Sequence, residues 1–187
     1  MGDGNGSKAS ALLVLDVQNY FFLEDSPAYL TASAGILPKI NRLVNQAVRA
    51  GWPVIFTSHH APSGKGNLMV EKWRRLPRGE ECSLYSGLSL PEHSERLRKE
   101  HYSAFMDTNL AETLRRQRTE SVVICGVMTH LCVDTTARHA FMLGWRPIVV
   151  ADACCSKTDL YHRAALLALR HGFAEITNAQ ELWLVPG

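Results

Sequence analysis

The sequence predicts a three-layer α/β/α sandwich around a doubly wound, mainly parallel sheet of about six strands. Two observations carry that expectation. Short apolar, β-branched runs recur in "ALLVLDV" (11–17), "PVIFTS" (53–58), "SVVICG" (121–126) and "RPIVVAD" (146–152), each the length of a strand buried on both faces. Amphipathic segments of helical period stand between them, and such alternation builds a parallel sheet joined by right-handed crossovers.

The first ten residues, "MGDGNGSKAS", have neither a basic nor a long apolar region and read as a flexible tail, which leaves 11–187 as a single domain. After the first strand, Ile36, Ile40, Leu43, Val44 and Ala47 share one helical face, and Gly51 supplies the stop. The stretch 59–91 is rich in Gly, Pro, Ser and charge and has no steady period; a loop of that length inside a domain is usually functional or disordered. "RLRKEHYSAF" (96–105) follows as a polar strand leading towards a helix, which a capping-box-like pair, Asn109 and Glu112, opens and Leu110, Ala111 and Leu114 face inward. "SVVICG" then feeds a helical segment that ends at Gly144. Cys154 and Cys155 read as small residues in a strand-to-helix turn capped by Asp152. "TDLYHRAALLALRH" (158–171) repeats the helical pattern up to Gly172, and "FAEIT" (173–177) is the last strand.

Composition removes several functions. At 187 residues and 46% apolar the chain buries a core of ordinary size. Its net charge of +2 and scattered Lys and Arg leave no electrostatic footprint for nucleic acid. No apolar run approaches the ~20 residues that cross a bilayer, so no membrane partner is expected. Five cysteines without a CxxC pair fit a reducing, cytoplasmic compartment better than a disulfide framework. A nucleotide binder would need a glycine-rich turn after the first strand, where this chain has "QNYFF".

In open α/β sheets, ligands bind beyond the carboxyl ends of the strands, where strand order reverses. Asp16 ends the first strand, Cys132 begins the helical segment after "SVVICG", and Lys99 lies in the polar strand. A thiol at a helix N-terminus is biased towards thiolate by the macrodipole, and a neighbouring Lys strengthens that bias. A buried Asp beside them could take the thiol proton and return it to a leaving amine. Plainer readings stand next to these: the cysteine as small core filler, the aspartate as a turn former, and the lysine as one more solvated charge among Arg96, Arg98 and Glu100.

Three stretches decide between them. "LLVLDVQNYF", "KEHYSAFMDTNLAETLR" and "VVICGVMTHLCVDTTARHAFMLGWRPIVVADAC" together resemble the isochorismatase-like cysteine hydrolases, the group that holds nicotinamidases and N-carbamoylsarcosine amidases, over about Ala11 to Leu184. The resemblance implies Cys132 as nucleophile, Asp16 as general base and acid, and Lys99 as the cation between them. It also implies a cis peptide at Val127–Met128, with the backbone N–H groups of Met128 and Cys132 as an oxyanion hole. The implied activity is hydrolysis of an amide or carbamoyl C–N bond of a small molecule through a thioester. The alternatives are a non-catalytic binding subunit, or a vinyl ether hydrolase, although those relatives carry Gly where this chain has Cys132. Nicotinamidases of this group bind a metal through a D-x-H pattern after the second strand; here "FTSHHAPSG" puts His59 and Ala61 at those two places, so neither a metal nor another cofactor is expected, and nicotinamidase activity is not expected either. A small-molecule substrate and a homo-oligomer, dimer or tetramer, are the implied partners. Candidates for the substrate pocket are Gln18, Phe22, His59, Trp73, Tyr102, Phe105 and His130, each of which also reads as wall or core, while His139 reads as a packing histidine.

Overall fold

The computed structural model describes residues 9–62 and 67–183. Residues 1–8 of the expected tail and 184–187 at the other end lie outside the described residues, and the first strand begins at Ser10.

Six strands form one parallel sheet: β1 (Ser10–Leu15), β2 (Val54–His59), β3 (Glu95–Lys99), β4 (Ser121–Val127), β5 (Arg146–Cys155) and β6 (Glu175–Thr177). Their order across the sheet is β3-β2-β1-β4-β5-β6, with helices on both faces. The chain therefore winds outward in one direction from β1 and in the other from β4. The crevice of such a sheet opens where the winding reverses, beyond the carboxyl ends of β1 and β4. Every residue of these two central strands is buried, which is why their sequences run apolar without alternation. At the edge, β3 alternates instead: in "ERLRK" only Leu97 and Lys99 point inward and are buried.

The helices are α1 (Asn19–Phe22), α2 (Ser33–Arg49), α3 (Leu68–Lys72), α4 (Leu110–Arg116), α5 (Asp134–Met142) and α6 (Asp159–Gly172). The predicted apolar face of α2 is its buried face, and Gly51 ends it at a φ of +70° that side chains rarely adopt. Two short helices, α1 and α3, lie in segments whose periodicity is too brief to read. No described helix is long and apolar enough to cross a membrane.

Three local expectations are corrected. Asn109 makes no capping hydrogen bond; the Thr108 hydroxyl accepts from the Leu110 N–H instead, at 3.3 Å, while donating to the Ala104 carbonyl. Cys154 and Cys155 are not in a turn but complete β5, opposite Gly126 and Val127. They are carried there by a bulge, because Ile124 pairs with Val149 and Gly126 with Cys154. Asp152, inside the bulge, accepts from the Ala179 N–H at 2.8 Å and pairs with Lys39 at 3.2 Å, so it ties β5 to neighbouring segments rather than capping a helix.

Gly126 sets the distance between the two central strands. Its φ is +113°, and a Cβ there would lie 2.1 Å from the Leu15 carbonyl oxygen. Only glycine lets β4 approach β1 this closely at the point where both strands deliver their last residues to the crevice.

Candidate active site

Asp16 follows β1 in a left-handed conformation, φ +54°, one of the few such states open to an aspartate. Its N–H reaches the Thr57 carbonyl and hydroxyl on β2, and the Thr57 hydroxyl donates back to Asp16 Oδ1 at 2.7 Å. Lys99 ends β3 directly opposite His59, and the inward phase of that strand sends its side chain under the sheet edge. Nζ lies 2.7 Å from Asp16 Oδ2, 3.1 Å from the His101 carbonyl oxygen and 3.4 Å from Cys132 Sγ. Neither the Asp16 nor the Lys99 side chain has any exposed surface. An unpaired charge in such a place would be expelled or neutralised, so the two charges depend on each other. Asp16, Lys99 and Cys132, read separately in the sequence, are thus one buried cluster.

The charges set the protonation pattern. Burial alone would lift the Asp16 carboxyl, but the Lys99 ammonium, helped by His59 and Thr57, holds it below the ordinary carboxylate value. Burial works against the Lys99 ammonium too, and Asp16 with Cys132 raises its pKa above that of a free lysine. Cys132 goes against the sequence expectation. Burial pushes its thiol up to about 12; Lys99 opposes this, and the charge and hydrogen bond of Asp16 favour the protonated sulfur. The surrounding backbone differs as well, since Cys132 sits inside a π-helical turn, Thr129–Val133, that precedes α5 and not in the first turn of a regular helix. The resting cluster is therefore carboxylate, ammonium and thiol, with Asp16 as the ready acceptor of the thiol proton.

The Val127–Met128 peptide is cis. Met128 then leads into the turn, and its carbonyl accepts from the N–H groups of Leu131 and Val133.

Cys132 opens onto a cavity of about 100 Å³. Among the pocket candidates, His59, Trp73 and Tyr102 line it, and the Trp73 indole N–H donates to the Tyr102 hydroxyl at 2.7 Å. Four others do not line it. Gln18 is a buried brace whose side chain holds both backbone groups of His59 and the Cys82 carbonyl. Phe22 packs on Tyr85, and Phe105 stacks on Trp145 in the core. His130 turns to Ser156, 2.9 Å from its Nδ1, and stacks on Tyr161. His139 bonds to Ser103 and lies against Phe105, the packing role expected of it. Sequence reasoning missed Tyr20 and Phe21 of α1 and the segment Arg75–Pro77. The signal was there for the first two: "NYFF" directly follows the strand that carries Asp16, and the aromatics at 20 and 21 face the crevice while Phe22 faces the core.

An isochorismatase domain model matches residues 10–181. "Nicotinamidase 3" of Arabidopsis thaliana is 32% identical over 94% of this chain and 88% of its own length. Among solved structures, a cysteine hydrolase from Pseudomonas syringae pv. phaseolicola 1448A superposes with a TM-score of 0.86 at 23% identity, covering 93% of this chain and 90% of that one, a likeness of fold. A pyrazinamidase of Pyrococcus horikoshii in complex with zinc gives 0.80 at 25% identity, covering 91% and 99%. The chain belongs to the isochorismatase family and is a hydrolase of that family.

The zinc in that relative calls for a test of the residues present here, and they do not fit one. His59 presents Nδ1 to the Lys99 ammonium at 3.4 Å, where a cation already sits. His60 turns the other way, with Nε2 3.0 Å from Ser58 Oγ, and borders a separate hollow with Phe56 and Arg96. Among the described residues there is no group of three or more His, Cys, Asp or Glu side chains that could hold a metal ion.

Proposed function

We propose that the protein hydrolyses a C–N bond, amide or carbamoyl, of a small molecule through a thioester on Cys132. The observation that carries this reading is the single ammonium of Lys99 in contact with both Asp16 and Cys132, with the sulfur at the wall of the cavity. Attack by Sγ on the substrate carbonyl carbon passes the thiol proton to Asp16. Protonation of Asp16 leaves the Lys99 ammonium as the counter-charge to the oxyanion that forms on the substrate, so site and substrate together stay neutral. The carbonyl oxygen, now an oxyanion, is received by the backbone N–H groups of Met128 and Cys132. Collapse breaks the C–N bond, and Asp16 returns its proton to the leaving nitrogen. Water then takes the place of the amine, gives a proton to Asp16 as it attacks the thioester, and the proton goes back to sulfur as the acid leaves.

The neutral resting thiol supports a general-base route and not a standing thiolate. The relative named a nicotinamidase and the one named a ureidoacrylate amidohydrolase, from Stutzerimonas stutzeri, set the amide class as the first to screen. The test is ammonia release over a panel of primary amides and N-carbamoyl compounds, run with and without EDTA. Expected are turnover by the wild type, undiminished by the chelator, and none by Cys132→Ala or Asp16→Asn. Full activity of Cys132→Ala would remove the thioester, and loss with EDTA that zinc restores would overturn the metal-free site. A homo-oligomer belongs to the same reading: α6 leaves Leu160, Tyr161 and Leu167 in solvent, the apolar surface that a second copy would cover, and light scattering on the purified protein reads its mass.

A further inference from the structure

Two residues of the turn that presents Cys132 are gripped from outside it. Thr129, the first residue of the π-helical turn, has no exposed surface, and its hydroxyl lies 2.8 Å from His162 Nδ1. His130, the next residue, gives its N–H to the Ser156 hydroxyl at 3.3 Å, and the same hydroxyl lies 2.9 Å from His130 Nδ1. The His130 ring also stacks on Tyr161, with 4.6 Å between ring centres and 18° between planes. Ser156, Tyr161 and His162 all come from one short stretch, the residue after β5 and the first turn of α6.

That stretch is itself anchored. Cys155 ends β5 opposite Val127, which brings Ser156 alongside the turn. The Thr158 hydroxyl caps α6 by accepting from the Tyr161 N–H at 3.3 Å, and buried Ala165 and Leu169 seat the helix. Tyr161 and His162 therefore reach the turn from a fixed base.

The partner of Thr129 is an unusual one. A helical threonine ordinarily satisfies its hydroxyl on the carbonyl three or four positions back. For Thr129 those positions are Gly126 and Cys125, which belong to β4, and the hydroxyl is met instead by a side chain of α6. Isolated π-helical turns recur at functional sites, and this one carries Cys132 Sγ to 3.4 Å from Lys99 Nζ. On the acyl-transfer reading it also places the Cys132 N–H against the oxyanion. Rotation of the turn about its axis would displace the sulfur and that N–H together, so whatever fixes the rotation fixes the alignment of the reacting groups.

We propose that His162 is a positioning residue for the hydrolysis: through Thr129 it sets the rotation of the turn that carries Cys132, while Ser156 and Tyr161 hold His130 beside it. None of Ser156, Tyr161 and His162 is among the described residues that line the cavity, so the action is on the turn and not on the substrate. The proposal rests on the C–N hydrolase reading for its rate measurements and adds to it a task for α6.

The experiment removes the bond from each side in the full-length protein. Thr129→Val keeps the shape of the threonine without its hydroxyl, His162→Leu removes the ring nitrogens, and His162→Asn keeps a polar atom near the place of Nδ1. Ammonia release from the best amide or N-carbamoyl substrate gives kcat and KM, and urea denaturation of the same samples reads folding. Expected in Thr129→Val and in His162→Leu is a kcat lower by about tenfold or more with KM within about twofold, since a displacement of about 1 Å costs up to about a hundredfold. The double variant should lose no more than the larger single loss, and His162→Asn should recover most of it. A second readout needs no turnover. Lys99 lowers the Cys132 thiol pKa, so a sulfur that loses part of that contact should show its iodoacetamide pH profile moved to higher pH in both single variants. Wild-type kcat in either single variant, losses that multiply in the double variant, or an unmoved alkylation profile overturns the proposal. Where a single variant is unfolded without urea, Ser156→Ala reads the other half of the grip: a lower kcat at unchanged KM is expected, and a wild-type kcat overturns the proposal. Turnover of no amide by the wild type sinks the C–N hydrolase reading, and the alkylation profiles then decide the role of His162 by themselves.

Discussion

Replacing Lys99 by Met removes the cation from a cluster with no exposed surface. At the 2.7 Å separation from Asp16, attraction of the two charges amounts to about 6 kcal/mol at an effective dielectric of ~20. Desolvation of both groups offsets much of that, which is why the cost of breaking a buried pair is nearer 3–5 kcal/mol. A solvated surface lysine would cost no more than about 0.5 kcal/mol. The unpaired Asp16 has an escape, because burial then acts on it unopposed and its carboxyl takes up a proton. The variant should accordingly regain stability relative to wild type as pH falls, by up to about 1.4 kcal/mol per pH unit below the new Asp16 pKa. Asp16→Asn in the same chain should relieve most of the loss, since an amide needs no counter-ion. Urea denaturation of wild type, both single variants and the double variant, at pH 7 and at pH 5, gives the coupling directly. Ammonia release on the same samples should fall at least about a hundredfold in Lys99→Met. A loss below 0.5 kcal/mol, with no dependence on Asp16, would show that the ammonium does not serve this cluster.

The remaining predictions concern three other residues. Cys132 should alkylate slowly with iodoacetamide at neutral pH and faster as pH rises, because burial pushes its thiol up to about 12; rapid, pH-independent labelling mapped to Cys132 would mean a standing thiolate. His59 has a folded pKa of about 4 against an ordinary 6.5, so the unfolded chain takes the proton first. Stability held by its neutral ring is intact above pH 6.5 and is lost on acidification towards pH 4, about 3 kcal/mol in all. His59→Gln should lose that much less over the same interval in urea titrations, a difference that also subtracts the smaller, same-signed effects of His60, His130 and His162. Gly126→Ala should cost about 3 kcal/mol or more, since its methyl meets the Leu15 carbonyl oxygen at 2.1 Å in a conformation that side chains rarely adopt. A thermal melt that matches wild type would show that β1 and β4 have room to part.

The sheet was legible because β1 and β4, buried along their whole length, each carry an apolar run after an opening serine, and α2 and α6 keep a clean period. Lys99 was readable for a related reason: alternation in "ERLRK" puts a lysine in phase with Leu97, and a charge on the inward side of a strand needs a partner. Identifying that partner takes the strand order, since Asp16 and Lys99 come together only because β2 lies between β1 and β3. The thiol was misjudged because dipole and lysine are visible in a sequence whereas burial, which decides the sign, is not. Phe105 and His130 were placed at the pocket by nearness in sequence to Lys99 and Cys132. Their rings are instead taken by Trp145 and Tyr161, contacts over 40 and 31 positions that no local pattern encodes.

Gln18 gives the site a division of labour. One side-chain amide joins the backbone of His59 to the carbonyl of Cys82, and with the bridge from Gln18 to Leu84 it fastens both ends of the segment 60–81 to the end of β1. That segment contributes Met69, Trp73, Arg75, Leu76 and Pro77 to the cavity but no member of the Asp16, Lys99, Cys132 cluster. Its two ends stay at a fixed spacing whatever lies between them. The segment can therefore be treated as an interchangeable cassette: lengths and sequences taken from other members of the family, spliced between His59 and Cys82, would change which acyl groups are admitted while the reacting groups keep their places.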